Sequence, residues 1–571
     1  MLVKYFEAIK RQRELVLMLI VFFYVGVMSY FVFGKMSMGD NTTELAYGQM
    51  VRAGLIPYND FYIHIMPLTA YVAAFIETLR YPIHLINIIT VLNLVFGATI
   101  VYGFCKILRL HFWEKIIGYG IFFGMYCITL LGFNHHSFDL TTAGAATLFL
   151  IYLLQTPNKK SIYIYSFVIS VCGVSALFLT QHIGLAVLVS GPAVLIADYF
   201  INKNKERLFA FGTLVLMEIL VFCLALGFFA WQNVPIGQMF KTAFLTGFSQ
   251  YTGTYGHFAI WKDAFNNLLG GLTHYLGGQI VASTPISVGV QPDNFVPAGT
   301  IVTANIFYKI FLNKVGLINT LANITILILV LWMVFQFVME VIDIVQKRKV
   351  IDSVWLVWVV TLGTFLLAST VVFQINFSGF YYIFLLWLYV SRNSSFGLNK
   401  YVRNASLVIF AVLGLALMVG NLNILRYEHQ TREYFISQMQ NETVWLSPFY
   451  YRNFVSELSV VRGVLKSEMN SSTTFTAYPR ASEIFYLLDK TPQKGTSMAT
   501  FFHENGQYQS AVSIATSSDI LVVYEPKFYG DNLGAEHDFA MNLIQNDLHK
   551  NFNLLHQSRF FQVYKRINYG K

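Results

Sequence analysis

Long apolar runs recur along this chain, and they constrain its fold more than any other feature. Eleven can be read, at 15–34, 83–104, 116–133, 139–155, 162–180, 183–201, 208–231, 316–345, 351–373, 378–391 and 405–425. A helix needs about 20 apolar residues to cross the hydrocarbon core of a bilayer. The runs at 139–155 and 378–391 are shorter than that, and the run at 316–345 is long enough to tilt or to extend into the cytoplasm. The predicted fold class is therefore a polytopic α-helical membrane protein with about 11 transmembrane helices. Composition agrees: 56% of the residues are hydrophobic and 12% charged, about half the charge of an average soluble domain.

Loop charge sets the orientation. The N-terminus carries Lys4, Lys10, Arg11 and Arg13. Alternate loops carry Lys106, Arg109 and Lys115, then Lys159 and Lys160, Lys203, Lys205 and Arg207, Lys347, Arg348 and Lys349, and Arg392, Lys400 and Arg403. The short loops between them, 134–138, 181–182 and 374–377, carry no Lys or Arg. This positive-inside pattern predicts a cytoplasmic N-terminus. It puts segments 35–82, 232–315 and 426–571 outside. The first run lacks a small-residue cleavage site, so it reads as a span and not as a cleavable signal peptide. The net charge of +9 sits mostly in short loops, which gives no reason to expect nucleic acid. Cys105, Cys127, Cys172 and Cys223 lie in or at the edge of apolar runs, an arrangement that predicts neither a disulfide framework nor a Cys-x-x-Cys metal site.

Two domains are expected: a transmembrane module over 1–425, and an extracytoplasmic α/β domain over 426–571. In the second, Thr474–Tyr478, Asp519–Tyr524 and Phe560–Tyr564 read as strands. Helices are expected through Ile484–Leu488 and through Phe539–Ile544.

The candidate chemistry lies mostly in the outer loops. Asn41-x-x-Glu44 has the form of a capping box, so a helix should begin there. A carboxylate at that helix start, Asp40, is favoured by the helix dipole alone. It is also placed to act as a general base on an acceptor hydroxyl. Glu44, one turn on, reads either as the capping partner or as a ligand for acceptor or metal. Asp60 follows Pro57-Tyr58-Asn59 and reads either as a turn-stabilising side chain or as a site residue. His135 and His136, with Asp139 at the head of the next run, read as interfacial residues or as ligands of a metal or phosphate. A carboxylate at a span end is costly unless it is paired or used. Gln181 and His182 read either as a plain turn before 183–201 or, through His182, as a contact for a ligand phosphate. Lys241, His257, Lys262 and His274 are scattered through 232–315 among pieces that read as amphipathic. Asp198, Glu218 and Glu340 read as helix-end or bundle-interior groups.

These residues resemble the GT-C superfamily of membrane glycosyltransferases, which includes protein mannosyltransferases and the lipid A aminoarabinose transferase. The resemblance rests on Gly39-Asp40, Gly54-Leu55-Ile56-Pro57-Tyr58-Asn59-Asp60, Pro67-Leu68, Phe178-Leu179-Thr180-Gln181-His182-Ile183-Gly184 and Gly379-Phe380-Tyr381-Tyr382. It implies that Asp40 is the general base. The candidate substrate-binding set is Glu44, Tyr58, Asp60, His64, His135, His136, Asp139, Gln181 and His182. Two departures stand out. Asn41 occupies the place of a second acid, and Ile65-Met66-Pro67-Leu68 lacks the lysine of the aminoarabinose-transferase branch. The cation that would hold the donor phosphate is thus unassigned. No cofactor is fixed, and a divalent metal is left open.

The expected activity is inverting sugar transfer from a polyprenyl-phosphate donor to a hydroxyl of a glycolipid, glycan or protein acceptor. It would take place on the outer face of the inner or plasma membrane. A transporter or flippase of a lipid-linked saccharide and a noncatalytic glycan-assembly protein are the alternatives. The chain has no internal repeat of the kind a transporter would lead one to expect.

Overall fold

A computed structural model describes residues 12–26, 40–61, 63, 65–79, 82–129, 133, 135–155, 158–246, scattered helical positions between 356 and 411, 452–470, 472–478, 512–524, 544–558 and 561–567. The runs expected at 316–345 and 378–391 and the helix expected at Ile484–Leu488 lie outside these residues. So do most of 351–373, 405–425 and the 232–315 loop.

The helical part begins with α1, over residues 12–26. It continues through α2 (Asp40–Arg52), α3 (Leu68–Glu77), α4 (Pro82–Ile107), α5 (Phe112–Thr129), α6 (His135–Gln155), α7 (Lys159–Leu179), α8 (Gln181–Asn202), α9 (Lys205–Trp231) and the short α10 (Ile236–Phe240). A π-helical turn, Lys241–Thr246, closes the series. Among the described residues, five stretches are long and apolar enough to cross a bilayer: Ile88–Ile107 of α4, Ser137–Gln155 of α6, and the whole of α7, α8 and α9. The chain is a polytopic helical membrane protein. α9 presents Leu216, Ile219, Leu220 and Leu224 outward, the face expected to meet lipid.

Helix starts differ from the apolar runs in an instructive way. Residues 135–138 and 181–182, expected as loops, are the first turns of α6 and α8, and Thr180 alone separates α7 from α8. Hydropathy finds only the part of a helix that lies in hydrocarbon. The first amide N–H groups have no intrahelical acceptor, so polar first turns extend each helix beyond its apolar run. Local signals mark other ends. Pro82 opens α4, where a missing N–H costs nothing. Asn158 and Asn204 cap α7 and α9 by accepting from the amides of Lys160 and Glu206, each at 3.0 Å.

The helices approach closely where side chains are small. Gly103 of α4 faces Leu148 of α6, and Gly97 faces Phe122 of α5. A continuous core runs through α4 to α9, with Phe104, Phe123, Ile151, Val194 and Leu214 buried in it. At the expected cytoplasmic end, Arg207 of α9 donates from Nε to Asp198 of α8 at 2.7 Å. It also donates to the carbonyls of Leu153 and Leu154 at the end of α6. One buried guanidinium thus ties three helix ends together. Arg207→Ala would leave the Asp198 carboxylate buried without its cation, a loss of about 3–5 kcal/mol. The expected result is a clear fall in the thermal midpoint of the detergent-purified protein, with Arg207→Lys intermediate.

In the C-terminal segment, α11 (Arg452–Glu468) precedes a four-stranded sheet of order β1-β2-β4-β3. β1 (Phe475–Tyr478) runs parallel to β2 (Ile520–Tyr524). β4 (Phe561–Arg566) pairs antiparallel with β2 and with β3 (Phe552–Gln557). β1, β2 and β4 stand at the three segments read as strands. β3 was not expected, because its largely exposed Asn553-Leu554-Leu555 lacks buried alternation. Helical turns at 512–517 and 544–551 cover the sheet through Ala515, Ile544 and Leu548. The side chain of Asp519 accepts from the amide of Thr474 at 2.6 Å, while Thr474 Oγ1 accepts from the amide of Asp519 at 3.0 Å. This reciprocal pair fixes the β1–β2 register.

Candidate functional site

The segment after α1 builds the site from its own turns. α2 begins at Asp40, one residue ahead of the cap position that Asn41-x-x-Glu44 indicates. It ends in a Schellman turn, in which Gly54 takes φ +85°, the left-handed conformation glycine supplies at no steric cost. The amides of Gly54 and Leu55 donate back to Val51 and Met50, each at 3.0 Å. Gly48 lets α2 lie directly on Ala73 and Ala74 of α3, where a Cβ would not fit. Arg52 donates to the carbonyl of Glu77 at 3.3 Å and joins the two helices at their ends.

Asp60 closes the intervening loop. Its Oδ2 accepts from the amide of Ile56 at 2.9 Å and its Oδ1 from the Asn59 amide side chain at 3.0 Å. Of the two readings of Asp60, this geometry accords with the turn-stabilising one. Tyr58 takes φ +66° and donates its hydroxyl to the carbonyl of Ile65 at 2.5 Å. That bond folds the loop back before α3. Tyr47 stacks on Phe61 beneath it, with centroids 5.7 Å apart.

Glu44 reaches beyond its own helix. Its carboxylate, 1% exposed, reaches across to α6. There Oε1 accepts from the amide of His135 at 2.9 Å and also meets the His135 ring at Nδ1. An anion at the first turn of α6 satisfies an otherwise orphaned amide and complements the helix dipole. With a carboxylate on Nδ1, that nitrogen carries the proton, and the ring is oriented with Nε2 pointing the other way. Asp139 stands one turn further along α6, fully buried. Asn93 of α4 steadies the same turn, donating to the carbonyl of Ser137 at 2.8 Å and accepting from Thr141 at 2.6 Å.

The turn between α7 and α8 meets the same loop. Met66 packs with Phe178 of α7, Phe229 of α9, and Met239 and Ala243 beyond it, with Tyr58 and Tyr71 alongside. Gln181 donates from Nε2 to the carbonyl of Ala243 at 3.0 Å, pinning the π-helical turn to the start of α8. His182 is buried there. Burial pushes the Tyr71 phenol up to about 12.

The structure therefore brings Glu44 and His135 together and anchors Tyr58, Asp60, Gln181 and His182 in the surrounding turns. The side chains of Asp40 and His136, and the whole of His64, lie outside the described residues. Among the described residues, no group of three His, Cys, Asp or Glu side chains could hold a metal ion. Sequence reasoning passed over Thr180 and Asn93. The only local signal for Thr180 is a hydroxyl residue directly before a helix.

The Glu44–His135 pair makes a test of its own. Glu44→Ala removes the acceptor of a buried amide and the partner of a buried ring. A lost bond to a charged group costs about 1.5–3 kcal/mol. A destabilisation of about 3 kcal/mol is expected by thermal unfolding, and less for Glu44→Gln, which keeps an acceptor oxygen. An unchanged midpoint for Glu44→Ala would contradict the pairing.

No family model and no curated protein matches the chain. Among solved structures, the crystal structure of ArnT from Cupriavidus metallidurans bound to undecaprenyl phosphate is similar to it. The similarity covers 97% of this chain and 98% of that one, with a TM-score of 0.44 and 11% sequence identity.

Proposed function

We propose that the chain is a GT-C-type glycosyltransferase. It moves a sugar from a polyprenyl-phosphate donor to an acceptor hydroxyl at the extracytoplasmic face of the membrane. The observation that carries the reading is the buried Glu44–His135 contact. It joins the helix that Asp40 opens to the first turn of α6, and so supports a rigid acidic corner at the membrane surface. A base held by such a frame needs little reorganisation to act.

The step balances as a single displacement. The acceptor oxygen attacks C1 of the sugar and its proton passes to Asp40. The bond between C1 and the phosphate oxygen breaks, and the polyprenyl phosphate leaves with the electron pair. Attack opposite the leaving group inverts C1. Glu44 and His135 hold the corner, with Asp139 one turn further along α6, and Tyr58 and Asp60 shape the loop over the donor. Segment 1–425 forms the catalytic module. Segment 426–571 lies outside as an α/β domain that governs access of the acceptor.

The reading is tested with the purified full chain, a panel of polyprenyl-phosphate sugars and a membrane glycolipid extract. The expected result is release of polyprenyl phosphate together with a glycosylated product whose C1 configuration is opposite to the donor's. Retention at C1 would remove the single displacement. Movement of an intact lipid-linked saccharide across proteoliposomes, without transfer, would replace the enzyme with a transporter.

A further inference from the structure

At the end of the bundle away from the Thr180 turn, α7 and α9 start side by side. One residue joins α7 to α8 and two join α8 to α9, so α7 and α9 run in the same direction. Lys159 and Tyr163 lie one turn apart on α7, as do Lys205 and Phe209 on α9. The Tyr163 and Phe209 rings meet edge to face, with centroids 5.9 Å apart. Lys159 Nζ leans across to α9 and sits 5.7 Å from the centre of the Phe209 ring, a cation–π contact. Its charge is thereby held beside the turn that carries Lys205. Among the described residues, the exposed Lys159, Lys160 and Lys205 make no ion pair. Glu206 is the one acid in the two first turns, while Arg207 and Asp198 are spent on each other. Both helix starts add positive charge of their own. Positive-inside topology asks only for cations somewhere in a loop. It gives no reason for cations of two separate loops to converge over one aromatic pair.

We infer that the starts of α7 and α9 form a headgroup site for an anionic glycerophospholipid, with Lys159, Lys160 and Lys205 around its phosphate. Charge complementarity selects the headgroup: three unpaired cations stand against a single acid, and an anion relieves their repulsion. The adjoining surface selects a membrane lipid over a free anion. Ile164 and Phe167 of α7 and Leu208 of α9 lie exposed just along the helices from the lysines, an apolar face suited to acyl chains. Tyr163, exposed at the boundary between the two, presents a ring to the chains and a hydroxyl to the headgroup region. α7 has 21 residues, so Lys159 stands about 30 Å from the Thr180 turn, close to the thickness of the hydrocarbon core. The site therefore belongs to the opposite leaflet from the donor phosphate of the proposed transfer, and it stands or falls independently of that reaction.

The test is native mass spectrometry of the purified full chain, titrated with phosphatidylglycerol and with phosphatidylcholine of the same acyl chains. A lysine at a membrane surface strengthens binding of an anionic lipid about fivefold, so wild type is expected to prefer phosphatidylglycerol about 20-fold. Lys159→Gln and Lys205→Gln should each cut that preference about fivefold, and the double variant should bring the two lipids near parity. Glu206→Gln should raise the preference. The control is the double variant Lys106→Gln with Arg109→Gln. It removes the same charge from two exposed cations at the end of α4, and the preference should hold. Equal loss in the two double variants would reduce the effect to bulk surface charge and overturn the site, as would a wild type without preference. If the Lys159/Lys205 double variant does not fold, phosphatidylglycerol with a diazirine near its headgroup decides the matter on wild type. Labelling within 159–167 and 205–212 upholds the site, and labelling elsewhere rejects it. Labelling of those turns by a diazirine polyprenyl phosphate in preference to phosphatidylglycerol would give them to the donor lipid and overturn the assignment.

Discussion

Asp40→Asn is expected to lower sugar transfer by about 10²–10⁴-fold, the usual contribution of a positioned general base. The substitution keeps size and hydrogen-bonding shape, and Asn is as good a residue as Asp at a helix start. α2 should therefore begin where it does in the wild type. What disappears is the capacity to take a proton as the acceptor oxygen attacks. Because that interaction belongs to the transition state, kcat should fall while KM for the donor stays near the wild-type value. Thermal unfolding and donor binding, measured on the same preparation, serve as controls. A variant that folds, binds donor and transfers at the wild-type rate would remove Asp40 from the mechanism. The base would then have to be sought in another carboxylate.

The largest structural effect is expected at Gly184. A Cβ built there overlaps the Cα and amide nitrogen of Leu177 and approaches the carbonyl carbon of Ala176. These are backbone atoms of the neighbouring helix, so no rotamer change relieves the clash. Gly184→Ala must instead pry α7 from α8 at their shared turn. A loss of about 4 kcal/mol or more is expected, at the upper end for single substitutions. It should appear as a collapse in the yield of monodisperse protein after detergent extraction. Gly212 is the matched control. It lies in α9 with nothing within 4 Å of its would-be Cβ. There alanine gains about 1 kcal/mol of helix propensity, and the yield should hold or rise. Equal stability of the two variants would show that α7 and α8 do not approach as described.

The same turn illustrates what can be read from residues in order. The apolar runs at 162–180 and 183–201 foretell two helices, because transfer of side chains into lipid is local and nearly additive along the chain. A helix start near Asp40 and the strands at 475–478, 520–524 and 561–566 are likewise visible, since each depends on neighbours in sequence or on a short alternating run. Hydropathy does not reveal that residues 135 and 181 are already helical, because polar first turns lie outside the hydrocarbon. Nor does it reveal that Thr180 is left without a cap.

Tertiary structure alone decides which candidate side chains meet. Glu44 and His135 are 91 positions apart, and nothing local relates them. Their contact follows from α2 lying flat on α3 at Gly48, and from α4 holding the first turn of α6 through Asn93. Asp60 and Glu44 look equivalent as acidic residues of one loop, yet one accepts from its own turn and the other bridges two helices. The sequence by itself determined a helical membrane protein, because burial energy acts residue by residue. The tertiary structure decided which carboxylate pairs with which partner and which helix start stays uncapped. Those outcomes depend on distances of a few ångströms between segments that only packing brings together.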